Sequence, residues 1–329
     1  FEKAAELWEK SIRLDDGYPT VHRNLALAYY NKQNDPERAK QELEKAFALD
    51  ETDARVLLEL DQLYKKLGMP FEKRLELYES HKDIITERDD VMLEYVTLYN
   101  LAGKPEKAYE IIMSHSFRPW EGAEGRISGQ YKIALLEMAK KDIAAGAYSE
   151  AEEKLEKALV YPENLGEGKL EGTKDNNLYY YLGLVKEALG KEGAEECFHL
   201  AELGDNEPAG AMYYYDQPAD MILYKGLAKQ KLGKTKEAHA CFNKLMDYGE
   251  RHLNDVVKND FFAVSLPDFL IFEDDMDKRN KAHCYYLMGL ANLGMGQKEK
   301  AVEEFDKALE YDFNHQNCQI YKELAKGEL

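Results

Sequence analysis

Residues Ala282–Asn314 read AHCYYLMGLANLGMGQKEKAVEEFDKALEYDFN. Two amphipathic helices joined by a tight turn account for this stretch. Tyr285, Met288, Gly289 and Asn292 recur at helical spacing and share one face of the first helix. Ala301, Phe305 and Ala308 share one face of the second. Gly294 and Gly296 mark the turn between them. Gly289 and Ala301 are small where the two backbones must approach closely, and Phe305 is placed to fill the gap between adjacent units.

The same pattern recurs upstream. Leu25-Ala26 and Tyr29 are followed by Ala39, Leu43 and Ala46, with Asp35-Pro36 as a helix start: a capping carboxylate, then Pro in the first turn. Leu57, Leu60 and Tyr64 precede Arg74 and Tyr78. Tyr95 and Tyr99 precede Pro105 and Ala108. Leu135, Met138 and Ala139 precede Ala151, Leu155 and Ala158, where Ser149-Glu150-Ala151-Glu152 reads as a capping box. Tyr179, Leu182 and Gly183 precede Ala194, Phe198 and Ala201, and Gly226 precedes Ala238 and Phe242. The first residues align on a second helix, with Ala4, Trp8 and Ser11 in the places of Ala301, Phe305 and Ala308. The sequence thus reads as starting partway through a longer array.

This pattern resembles the tetratricopeptide repeat. Met288 replaces the family's Leu, Asn292 its Tyr, and Phe313 stands where Pro usually closes the unit. The resemblance implies an all-α, right-handed superhelical solenoid made of helix-turn-helix units. One solenoid would span residues 1–329: a half repeat at 1–16, full repeats at about 19–50, 53–83, 89–115, 128–160, 175–204, 217–250 and 280–314, and a closing helix at about 316–326. That helix would turn Ile320 and Leu324 onto the last repeat.

Charge and composition exclude several functions. Of 329 residues, 63 are acidic and 44 basic, a formal net charge of −19 that repels nucleic-acid phosphates and anionic lipid. No run nears the roughly 18 apolar residues of a membrane helix, and no signal segment opens the chain. A cytoplasmic location is expected. Cys197, Cys241, Cys284 and Cys318 form no C-x-x-C pair and read as buried small apolar side chains. Gly233-Lys234-Thr235 is like the tail of a phosphate-binding loop, but it lacks the earlier glycine and a preceding strand, and reads as an interhelical turn. Glu273-Asp274-Asp275 lacks the alternation of a calcium loop. The histidines make no metal motif and no nucleophile elbow occurs, so no cofactor, no metal and no catalysis by this chain are expected.

Spacing between the small second-helix positions shows where the array departs from regularity. From Ala4 through Ala39 and Arg74 to Ala108 the steps are about 34 residues. Ala151, Ala194 and Ala238 follow at about 43 each, and Ala301 at about 63. The extra residues form inserts at 114–127, 161–174, 204–218 and 251–279, all at the same junction between repeats. Long inserts of this kind tend to carry function, and these are too aromatic for disordered linkers. Phe117, Arg118, Trp120 and Glu121 fall in the first, Asn164 in the second, Tyr213, Tyr214, Tyr215 and Asp216 in the third, and Phe261, Phe262 and Asp268 in the fourth. These residues are the candidate binding set, joined by Tyr180 and Tyr286 on first helices. The expectation is that the inserts fold onto one another along one edge as an aromatic-lined groove. Their rings could equally well brace the superhelix.

Strings such as RPWEGAEG, YPENLGEGK and FFAVSLPDF resemble the C-terminal repeat region of large bacterial tetratricopeptide proteins that carry a β-rich domain of unknown function upstream. The resemblance implies a non-catalytic scaffold. It would bind a protein segment or its own upstream domain through the concave face formed by the first helices and through the insert edge. The alternative is an accessory part of a carbohydrate-active or other ligand-processing protein, with the loops helping to hold a small ligand such as a sugar. Chaperone adaptors of this family grip a terminal carboxylate with Lys, Asn and Arg. Leu27, Glu59, Asp90 and Glu94 at the matching positions argue against that clamp.

Overall fold

A computed structural model describes residues 2–118, 120, 123–210, 217–257 and 271–327. Among the described residues the protein is entirely helical, with seventeen α-helices, one 3-10 turn and no strand. The chain divides into two compact units, 1–102 with the described residues of 268–275, and 103–267 with 276–329.

Unit 1 contains α1 (Glu2–Leu14), α2 (Pro19–Gln33), α3 (Pro36–Leu49), α4 (Ala54–Lys66), α5 (Phe71–Ser80), the single turn α6 (Lys82–Ile85) and α7 (Asp89–Leu101). Helix α3 starts as its sequence requires: Asp35 accepts a hydrogen bond from the Arg38 amide at 3.1 Å, with Pro36 next in line. Asp53 does the same for α4 through the amides of Arg55 and Val56. On α1, Ala5 is buried whereas Trp8 is half-buried.

Where other repeats put two small residues, the α4–α5 pair puts two charges. Asp61 occupies the place of Gly289, and Arg74 that of Ala301. Both are fully buried, and the guanidinium meets the carboxylate through two 2.7 Å hydrogen bonds, with Glu94 3.5 Å away. Such a fork-on-fork pair satisfies groups that would otherwise be costly to bury.

Unit 2 contains α8 (Pro105–Ser114), α9 (Arg126–Ala144), α10 (Tyr148–Ala158), a 3-10 turn at Glu163–Leu165, α11 (Asn176–Leu189), α12 (Ala194–Ala201), α13 (Ala219–Lys231), α14 (Thr235–His252), α15 (Met276–Gly294), α16 (Lys298–Tyr311) and α17 (Gln316–Lys326). The close approach within each pair is visible at the glycines. A Cβ on Gly183 would lie 2.5 Å from the Phe198 ring, on Gly226 2.3 Å from Phe242, and on Gly289 2.4 Å from Phe305. The turn glycine Gly296 has a positive φ of 75°, which L side chains rarely adopt.

Two local expectations are corrected. Ser149 is not a cap: α10 already begins at Tyr148, after a turn at Gly146, so Ser149 lies inside the first turn, and no side chain caps this end. The closing helix α17 buries Cys318, Tyr321 and Ala325, while Ile320 and Leu324 are half-exposed. The Tyr321 hydroxyl donates to Asp220 at 2.9 Å, and its ring lies 6.2 Å from Tyr286 and 6.3 Å from Tyr224. All four cysteines are buried, and burial raises each thiol.

Candidate functional site

The first two inserts are joined by named side chains. Asn164, after α10, donates through Nδ2 to the carbonyls of Ile112 and His115 at 2.8 and 2.9 Å, closing the end of α8. Its own carbonyl accepts from the Phe117 amide at 2.8 Å. The Glu167 carboxylate accepts from the amides of Gly125 and Ser128 at 2.8 and 3.0 Å, and so caps α9 from a distant segment. Phe117 and Leu165 are buried beneath this junction, Trp120 is half-buried and Arg118 is exposed. The space these residues share with Ala123 and Ile127 is about 10 Å³, room for one water. A sugar ring would not fit there.

At the third insert, Asp205 and Gln217 hold each other, the Gln217 side chain accepting from the Asp205 amide at 2.8 Å and donating to its carbonyl at 2.9 Å. His283 Nε2 hydrogen-bonds the Ala209 carbonyl at 2.8 Å. Burial depresses this imidazole to about 4, keeping it neutral with a ring N–H to donate. Beside the insert, an open cleft of about 500 Å³ is lined by α13 and α14, including Lys225, Lys229, Lys234 and Lys244. These ammoniums have partners. Lys234 reaches Glu202 at 2.6 Å, Lys229 reaches Glu202 and Glu237, Lys244 pairs with Glu207, and Lys225 donates to the Gly204 carbonyl. Burial raises Glu202, but hydrogen bonds from Lys234, His199 and Lys229 outweigh it and hold the carboxyl at about 2. Gly233-Lys234-Thr235 is an interhelical turn, with φ of 74° at Gly233.

The first-helix candidates divide. Tyr180 is half-buried against Tyr181, Phe198 and Tyr224. Tyr286 is only 4% exposed, its face covered by the His315 ring 4.8 Å away and the Phe305 ring at 6.3 Å. Elsewhere on the first helices, Leu93, Leu223 and Leu290 are buried, while Arg23, Leu27, Tyr30, Leu184 and Leu227 retain exposure. The acidic residues at the clamp positions are neutralised in place. Glu59 holds Arg23 at 2.5 Å and Arg55 at 2.9 Å, and Asp90 holds Arg88. Glu121, Tyr213, Tyr214, Tyr215, Asp216, Phe261, Phe262 and Asp268 lie outside the described residues.

The fourth insert adds a contact that no local sequence signal announces. Residues 271–275, within unit 1, lie against α2 and α4 as an irregular stretch with bends at Ile271 and Phe272. Phe272 is 1% exposed, with its ring edge-on to Tyr30 at 5.1 Å. Inserts one and two meet each other in unit 2, whereas this stretch is seated on first helices of unit 1.

Among the described residues, no group of three His, Cys, Asp or Glu side chains could hold a metal ion, and no helix is long and apolar enough to cross a membrane. Solved structures with similar chain paths include a tetratricopeptide repeat protein from Parabacteroides merdae ATCC 43184, at 16% identity over 94% of this chain and 98% of that one, with a TM-score of 0.43. Another is PilW, a widely conserved type IV pilus biogenesis factor, at 17% identity over 70% and 92% of the two chains, with a TM-score of 0.38. A third is Naa15/Naa10 bound to HypK-THB, at 14% identity over 98% and 58%, with a TM-score of 0.38. By sequence, residues 23–53 and 282–315 match the tetratricopeptide repeat family, which identifies repeats of that family near both ends of the chain.

Proposed function

We propose that this chain is a non-catalytic interaction scaffold that seats an extended protein segment, from a partner or from an upstream domain of its own protein, on the faces of its first helices. The observation that carries this reading is the seating of 271–274 on α2 and α4, an irregular stretch held through its backbone by a helix some 240 residues away in sequence. Tetratricopeptide-like folds generally mediate protein–protein interaction, which supports the same reading. The half-exposed Leu27 and Tyr30 leave part of that face open to a ligand.

Panning a random-peptide library on the full chain tests the proposal. Peptides should enrich whose affinity falls at least tenfold with Leu27→Glu or Tyr30→Ala in a chain that still folds. Enrichment of no peptide over a helical control protein, or binding indifferent to both substitutions, would defeat it.

A further inference from the structure

The stretch Ile271-Phe272-Glu273-Asp274 is held through both its backbone and its side chains. Asn31, near the C-terminal end of α2, spends its whole side-chain amide on the backbone either side of Phe272. Nδ2 donates to the Ile271 carbonyl at 2.8 Å, and Oδ1 accepts from the Glu273 amide at 2.8 Å. An amide used like this grips the main chain of a segment without reading its sequence. Selectivity comes from the side chains. The Phe272 ring is sealed against Tyr30. Lys32 meets Glu273 at 2.5 Å, and Lys66 from α4 pairs with Asp274. Both ion pairs are partly exposed, so they select charge more than they stabilise the fold.

We infer that this groove on α2 and α4 is a docking site for a partner segment of the form aromatic–acidic–acidic, and that residues 271–274 occupy it as an internal competitor. The inference rests on the scaffold reading above and adds the partner's chemistry and a means of regulation. At a distance the chain's net charge of −19 disfavours an acidic partner. Within the groove Lys32 and Lys66 reverse that preference locally, and a tethered competitor acts at an effective concentration of roughly millimolar. A partner therefore binds well only when its segment outcompetes the strap or the strap has been released.

The test uses the full chain and a fluorescein-labelled synthetic peptide of residues 270–276, LIFEDDM, read by fluorescence anisotropy. Glu273→Lys with Asp274→Lys releases the strap at positions outside the core, and Phe272→Ala releases it independently. The peptide should bind either released variant at least tenfold more tightly than the wild-type chain. Adding Asn31→Ala to the charge-reversed variant should remove that gain, as should replacing the peptide's Phe by Ala or its two leading acids by Lys. Equal affinity for wild-type and charge-reversed chains, or indifference to Asn31, overturns the inference. A wild-type dimer dissociated by the same peptide would assign the groove to a second copy's strap and would also overturn it. If the random library still yields peptides dependent on Leu27 or Tyr30 while LIFEDDM fails, the scaffold reading stands and this inference alone falls.

Discussion

Arg74→Met tests the substitution of a charged pair for the repeat's usual small pair. Wild-type Arg74 and Asp61 have no exposure, and two 2.7 Å hydrogen bonds join them. Methionine keeps most of the apolar stem but strips Asp61 of both donors and removes the counter-charge from Glu94, 3.5 Å away. Breaking a buried pair from one side typically costs about 3–5 kcal/mol, mainly the penalty of the orphaned charge. At about 1.4 kcal/mol per tenfold, amides of α4 and α5 should exchange with solvent roughly two to three and a half orders of magnitude faster. Asp61→Leu combined with Arg74→Met replaces both charges by apolar groups of similar bulk. That double variant should recover at least about 2 kcal/mol relative to the sum of the singles. Hydrogen exchange resolved by peptide mass spectrometry on the full chain reads both quantities. A cost below about 1 kcal/mol for Arg74→Met, or strict additivity in the double variant, would show that the pair is not a coupled structural unit.

Four further outcomes are expected. Gly226→Ala puts a methyl 2.3 Å from a Phe242 ring carbon. Overpacking costs about 1–3 kcal/mol against a helix-propensity gain of about 1, so the melting temperature should fall, and a rise would refute the close-approach argument. Glu167→Ala should cost about 1–2 kcal/mol and loosen the first turn of α9, as cap losses do, while an unchanged exchange pattern at Ile127–Gln130 would deny the long-range cap. Phe117→Ala, at a buried ring, should cost about 3 kcal/mol in denaturant titration, and Trp120→Ala, half-buried, clearly less; the reverse order would put the tryptophan in the core. The folded-state pKa of His283 lies below its usual 6.5 at about 4, so its contribution to stability is complete above pH 6.5 and is lost as the pH falls toward 4. Over that window the loss is about 3 kcal/mol, and His283→Gln should flatten the stability profile there.

Which of these features the sequence reveals depends on the range of the interaction. The glycine–phenylalanine approaches repeat at Gly183/Phe198, Gly226/Phe242 and Gly289/Phe305 because each is a contact within one helical pair, fixed by spacing along about 16 residues. Helical period and residue size are enough to read them. Arg74 stood out only as a large residue in a small position. Its partner is on the neighbouring helix of the same pair, at the place of Gly289, so comparing repeats position by position could have found it. The caps at Ser149 and Glu167 show the opposite situation. A local motif that fits the pattern goes unused because the helix begins two residues earlier, and a carboxylate with no local motif caps a helix some 40 residues before it.

Asn31 lies furthest from what a single sequence can show. Nothing in PTVHRNLALAYYNKQ distinguishes it from a solvated residue near a helix end, and nothing in IFEDD marks a ligand. Asparagine amides do the same job elsewhere in the chain. Asn164 holds the end of α8, Asn176 donates to the Ala201 and Leu203 carbonyls after α12, and Asn280 donates to the His252 carbonyl at the end of α14. In those places the amide closes a helix of its own or the preceding repeat. At Asn31 it grips both a carbonyl and an amide of an irregular segment from a distant part of the chain. The C-terminal end of a helix needs only donors to its free carbonyls, whereas an irregular backbone offers donors and acceptors together. Gln217 grips the Asp205 amide and carbonyl in the same two-handed way within its own insert, so what sets Asn31 apart is that the segment it holds comes from some 240 residues away, and that is why the groove, more than the aromatic inserts, is the place to look for a partner.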